Sequence, residues 1–166
     1  MYQNHARPNF AGLFKGRPTA VAALHGSGQY PDVEGMVRFY QTAYGVLVVT
    51  EVTGLPTFYD ACGSPIFAFH IHEGSSCTGN EGDPFADVGT HYNPYGCPHP
   101  YHAGDLTPLL GAGGNAFSAV LTNRFTAEEI IGRTAIIHGF PDDFLTQPSG
   151  NSGAKIACGE IVRARR

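Results

Sequence analysis

Short apolar runs separated by glycine-, proline- and asparagine-rich breaks fill nearly the whole chain, and none is long enough to be a packed helix. They fall at residues 19–24, 35–42, 46–52, 66–72, 116–121, 134–138 and 157–162. Each is rich in Val, Ile, Phe or Ala and is bounded by Gly, Pro, Asn or Asp, which marks a strand. Several such strands with Gly-rich connections predict an all-β antiparallel sandwich or barrel. The only helical signal is Thr126 followed by Glu129, a capping box, with Gly132 about one turn later. It predicts one short helical turn.

Two stretches, 73–115 and 139–155, lack any such run. Irregular segments of that length are uncommon unless they carry function. The first holds three histidines, which argues against disorder. With 166 residues, 42% apolar and 14% charged, the chain suits one domain with its own core. No apolar run is long enough for a transmembrane helix. A net charge of −4 speaks against wide contact with nucleic acid, while leaving room for a small anionic substrate drawn by a local field. Residues 1–7 lack the basic-then-apolar pattern of a secretory signal. The expectation is a cytoplasmic protein, or a periplasmic or secreted one if a leader has been removed. The tail from Arg163 to Arg166 reads as a solvated end.

The histidines supply the chemical signal. His70 and His72 flank Ile71 on a predicted strand, so both project from the face opposite Phe69 and Ile71. Their Cα atoms lie roughly 6.6 Å apart, close enough for two imidazoles to share an ion at bonds of about 2 Å. An HxH pair alone is also compatible with two solvent-facing rings. His91, His99, His102 and Asp105 form a His₃Asp set suited to four-coordinate zinc, and Gly104 is expected to let the chain turn tightly between the last two. His138 closes an apolar strand. Alone it would read as a structural histidine, and only the other pieces favour a ligand. Four cysteines, Cys62, Cys77, Cys97 and Cys158, allow three complete pairings. They do not form the CxxC pairs of a zinc ribbon.

The ordered segments HIHEG (70–74), GTHYNP (89–94), HAGDL (102–106), IIGRTAIIHGFPDDF (130–144) and QPSGNSGAKIACGEIV (147–162) resemble the copper–zinc superoxide dismutase family, and VAALHGS (21–27) resembles its first strand. The resemblance implies an eight-stranded Greek-key β-barrel with an immunoglobulin-like sandwich shape and two long functional loops. It occupies residues 19–166 behind an N-terminal extension, 1–18. The resemblance further implies copper on His70, His72, His91 and His138, and zinc on His91, His99, His102 and Asp105, with His91 bridging the two ions. Asp142 would link a copper ligand to a zinc ligand, and Cys77 would pair with Cys158. The implied reaction converts superoxide to oxygen and hydrogen peroxide. Copper cycles between valences, and His91 releases reduced copper to carry a proton.

Two positions depart from the family pattern. Lys155 stands where the family places an arginine beside the copper, keeping the charge without the planar fork. His99 and His102 are only three residues apart where the family runs a longer excursion, which makes His99 the ligand most in question. Cys62 and Cys97 have no family counterpart. The place of Cys97 inside the shortened loop favours a second bridge over two free thiols. The expected partner is superoxide, with neither nucleic acid nor membrane, and a homodimer is compatible with the family. The competing readings are a copper delivery or buffering protein of the same fold without turnover, and a zinc-only structural sandwich.

Overall fold

Strand alternation sets the core. In β1 (Ala20–Gly26) the residues Ala20, Ala22 and Leu24 are fully buried, while Ala23 and His25 face solvent, the period-two pattern of a sheet with one wet face. The computed structural model describes Gly12 and residues 16–57 and 65–165. Among these, eight further strands come after β1: β2 (Glu34–Thr42), β3 (Gly45–Thr53), β4 (Ile66–Phe67), β5 (Phe69–His72), β6 (Leu109–Ala112), β7 (Asn115–Thr122), β8 (Thr134–His138) and β9 (Lys155–Arg163). Of the extension placed at 1–18, only Gly12 and residues 16–18 fall within the described set.

All pairings are antiparallel, in the order β4-β6-β7-β3-β2-β1-β9-β8-β5. The two ends of that order, β4 and β5, are halves of the single predicted run 66–72. Ala68 interrupts it, donating its N–H to Phe140 O at 2.9 Å and accepting from His138 N–H at 2.9 Å. One segment therefore begins against β6 and finishes against β8, which closes the sheet into a barrel. Counted as one strand, it gives the eight that the resemblance implies. β6 falls inside the stretch 73–115, where the sequence pattern shows no strand, because it has only four residues and one of them is Gly111. The capping box forms as predicted: Thr126 N–H donates to Glu129 Oε2 at 2.5 Å and Glu129 N–H to Thr126 Oγ1 at 3.4 Å. A run of turns continues from it and ends at Gly132, whose φ is +84°.

β8 does not alternate; all five of its residues are buried. Ala135 and Ile137 face the main core, whereas Ile136 packs on the other face with Phe85, Val88 and Cys158. The long segment after β5 thus lies over β8 and dries its outer face. It contributes a short 3₁₀ turn, Ala86–Val88, and is tied down by the Cys77–Cys158 disulfide, the pairing that the resemblance implied. Cys97 is a free thiol. The second bridge that its position favoured is not formed, and Cys62 lies outside the described residues.

The disulfide joins residues 81 apart in sequence, so chain-entropy reasoning assigns it about 4 kcal/mol. Cys77→Ser is expected to lower the melting temperature of the metal-free protein by roughly 10 °C, read by calorimetry. A drop within one or two degrees would show that Phe85 and Val88 hold the segment without the bond.

Candidate metal centre

Backbone pairing brings the distant histidines together. Beyond its ladder with β8, β5 makes isolated bridges on its other edge, His70 with Asp105 and His72 with His91. The ligand-bearing loop therefore lies along the HxH strand like an extra strand. Ile71 N–H donates to Gly104 O at 2.8 Å, Tyr92 N–H to Ile71 O at 2.8 Å, and Gly104 N–H to Tyr92 O at 2.8 Å. A Cβ on Gly104 would lie 2.3 Å from Ile71 O. The tight turn expected between His102 and Asp105 is formed, with Asp105 N–H donating to His102 O at 3.2 Å, but the need for glycine at 104 has a different cause. Its φ is not among the positive values, and it is glycine because backbone must pass against backbone there.

The result is two adjoining clusters, His70, His72, His91 and His138, then His91, His99, His102 and Asp105, with the donor atoms of each within 4.8 Å of one another. All of these side chains are buried; His70 is 0% exposed and Asp105, the most exposed, 7%. His99 takes its place despite the short spacing. His138 faces the HxH pair, its Nε2 lying 3.3 Å from His72 Nε2.

Hydrogen bonding shows which nitrogen of each ring is left for an ion. His72 Nδ1 meets Gly89 O at 2.9 Å and His138 Nδ1 meets Gly153 O at 3.3 Å. A carbonyl accepts only from N–H, so both Nε2 atoms carry lone pairs, and these face each other. That contact is favourable only when a cation or a proton lies between them. His70 gives Nε2 to Asp142 at 2.8 Å, leaving its buried Nδ1 without a partner. His91 directs Nδ1 to Asp105 Oδ1 at 2.7 Å, and its Nε2 is likewise unpartnered. His99 Nδ1 lies 3.1 Å from Asp105 Oδ2 without hydrogen-bond alignment, and His102 Nδ1 lies 3.4 Å from His91 Nδ1. Two donors on one tetrahedral ion with bonds near 2 Å are separated by roughly the same distance, about 3.3 Å.

The donor chemistry fits two different ions. Four imidazole nitrogens suit copper, which heads the first-row affinity order for nitrogen ligands, and His₃Asp suits zinc. Burial, then the neighbouring His138 and His91, pushes His72 well below its ordinary pKa, and burial followed by His70 brings His138 to about 3. These rings stay neutral at neutral pH and ready to ligate. Asp142 joins the clusters: its Oδ1 accepts from His99 Nε2 at 2.9 Å while its Oδ2 accepts from His70. Burial alone would raise its pKa, but hydrogen bonds from His70, the Phe144 N–H and His99 outweigh it and bring it to about 2.

Sequence reading missed Gly150, where a Cβ would lie 2.0 Å from Asp142 Oδ1 and 2.7 Å from His99 Nε2, at a φ of +68°. It also missed Asp83, which forms an ion pair with Lys155. Lys155 lines a cleft of about 360 Å³ with His72, His91, His102 and His138.

Two donor clusters sharing one histidine, on the outer face of a closed antiparallel barrel, have the arrangement of a binuclear β-barrel metalloprotein. A family model described as copper/zinc superoxide dismutase matches residues 33–161, and the chain belongs to that family of oxidoreductases, whose metals are copper and zinc. It is 32% identical over 145 residues to the Cu-Zn superoxide dismutase 2 of Aquifex aeolicus (strain VF5), covering 78% of this chain and 80% of that one. It is 33% identical over 150 residues to the Cu-Zn superoxide dismutase of Legionella pneumophila, covering 85% of each.

Asp142→Asn keeps the size of the side chain but removes the charge that orients His70 and His99. Metal affinity is expected to fall roughly 10- to 100-fold, measured by chelator competition. An unchanged affinity would mean that the two rings are oriented by packing alone.

Proposed function

We propose that this chain disproportionates superoxide, two superoxide ions and two protons giving one oxygen and one hydrogen peroxide, with copper held by His70, His72, His91 and His138. The observation that carries this is the pair of adjoining donor sets joined by His91. Copper bound there supplies the one-electron change that the reaction needs, and zinc, being d¹⁰, has none to offer.

His91 Nε2 faces the all-histidine cluster while Nδ1 stays with the zinc set, so the ring can take a proton at Nε2 and pass it to the departing peroxide without losing its anchor. His70 and His99, both hydrogen-bonded to Asp142, keep the two donor sets in register. Lys155, at the cleft beside His72 and His138, attracts the anion as the family's arginine does. It offers a point charge rather than a fork, and its pairing with Asp83 reduces the field that reaches the cleft. Burial would raise the Asp83 pKa, but the hydrogen bond and charge of Lys155 hold it below its ordinary value. Asp83 therefore keeps its charge, and its pairing with Lys155, to a lower pH than an unpaired carboxylate would. Neutralisation of Lys155 by Asp83 also favours a second reading, a copper-holding protein without turnover.

Superoxide consumption by protein reloaded with one copper and one zinc per chain separates the two. A rate no faster than spontaneous dismutation would leave the copper-holding reading. His138→Ala is expected to abolish turnover and leave zinc bound. Lys155→Ala should cut kcat/KM by about tenfold and flatten its dependence on ionic strength, while Asp83→Asn should raise kcat/KM at low salt and steepen that dependence. A rate indifferent to salt in all three proteins would remove Lys155 from the reaction.

A further inference from the structure

We propose that Arg124 is a positioning residue for the zinc set, doing from outside the loop what a longer loop would do from within. The inference rests on the reading that His91, His99, His102 and Asp105 hold zinc. Only two residues separate His99 from His102, and two more separate His102 from Asp105. The segment is two back-to-back turns, closed by Tyr101 N–H to Pro98 O at 2.8 Å and Asp105 N–H to His102 O at 3.2 Å. Turns of this kind leave carbonyls pointing outward with too few donors, as at a helix C-terminus.

Those carbonyls converge on one atom. Arg124 Nη1 lies 3.0 Å from Pro100 O, 3.3 Å from His102 O and 3.1 Å from Asp105 O. Pro100 directly follows the ligand His99, and the other two carbonyls belong to ligands. One guanidinium nitrogen therefore fixes the spacing of three of the four zinc donors through their backbone, and a cation is the favourable partner for converging carbonyl dipoles. Its own position is held on both sides. Arg124 follows β7, its N–H meets Thr122 Oγ1 at 3.3 Å, and the next residue, Phe125, is 4% exposed in the core. The guanidinium touches no donor atom of either cluster, so its effect on zinc passes through the backbone of residues 100–105.

The test uses the full chain, stripped with a chelator, and compares wild type with Arg124→Met and Arg124→Lys. Zinc affinity is measured by competition with a coloured chelator. The visible spectrum of cobalt(II) placed in the zinc set reports ligand geometry, and copper affinity and metal-free melting temperature are measured alongside. For Arg124→Met we expect a tenfold or greater loss of zinc affinity, an altered cobalt spectrum and unchanged copper affinity. Arg124→Lys, which restores a cation with three donors, should recover most of the loss. Zinc affinity within twofold of wild type in the Met variant would overturn the proposal, as would equal losses of zinc and copper, which would indicate a general loosening of the barrel. Failure of the wild type to take up cobalt or zinc at this set would overturn the zinc reading itself, and the clamp with it.

Discussion

One buried carboxylate organises the donor clusters on the outer face of the barrel. Asp142 holds His70 with one oxygen and His99 with the other, and these rings belong to different clusters. Each keeps its Nε2–H on the carboxylate, so each turns Nδ1 toward an ion. With His91 shared between the sets, the two halves of the site are joined twice, once through a ring and once through an acid. A shift in either half is felt by the other without any large movement of chain.

The barrel supports this arrangement at every level. β5 puts His70 and His72 beside a segment that pairs with it through the isolated bridges at His70 and His72. β8 ends at His138, where the ladder to β9 shifts register between Ile137 and His138. Arg133 closes the far side of the loop, donating to Glu73 O at 2.5 Å with its guanidinium 5.1 Å from the Tyr92 ring centre. The disulfide ties the same segment to β9, and the Phe85–Val88 cover packs it onto Ile136 of β8. Backbone pairing, apolar burial and covalent linkage thus act together on residues 73–105.

Much of this was legible in the residues. Periodicity located seven of the strand runs and the His₃Asp spacing suited zinc, whereas copper entered only through the family resemblance, because HxH by itself fits two solvent-facing rings equally well. The less legible parts were set by contacts distant in sequence. β6 is too short and too glycine-rich to show a period, and it exists because β7 and β4 offer edges to it. Gly104 and Gly150 look like ordinary loop glycines until Ile71 O and Asp142 Oδ1 are seen against them. Arg124 and Asp83 sit in polar stretches where any charge would pass unnoticed. Their partners, three carbonyls and one ammonium, are not encoded by spacing. The unpaired Cys97 was misjudged because proximity in a loop says nothing about where its sulfur points.

The strand that switches partners at Ala68 has a wider consequence. Its first half seals the barrel against β6, and its second half carries two imidazoles of the all-histidine cluster. The seam of the cylinder and the ion cradle are thus one piece of chain, so prising the seam apart would also spread the cradle. Whatever binds the cradle must then resist that opening by mass action, and a chain emptied of its ions should breathe first along this single line.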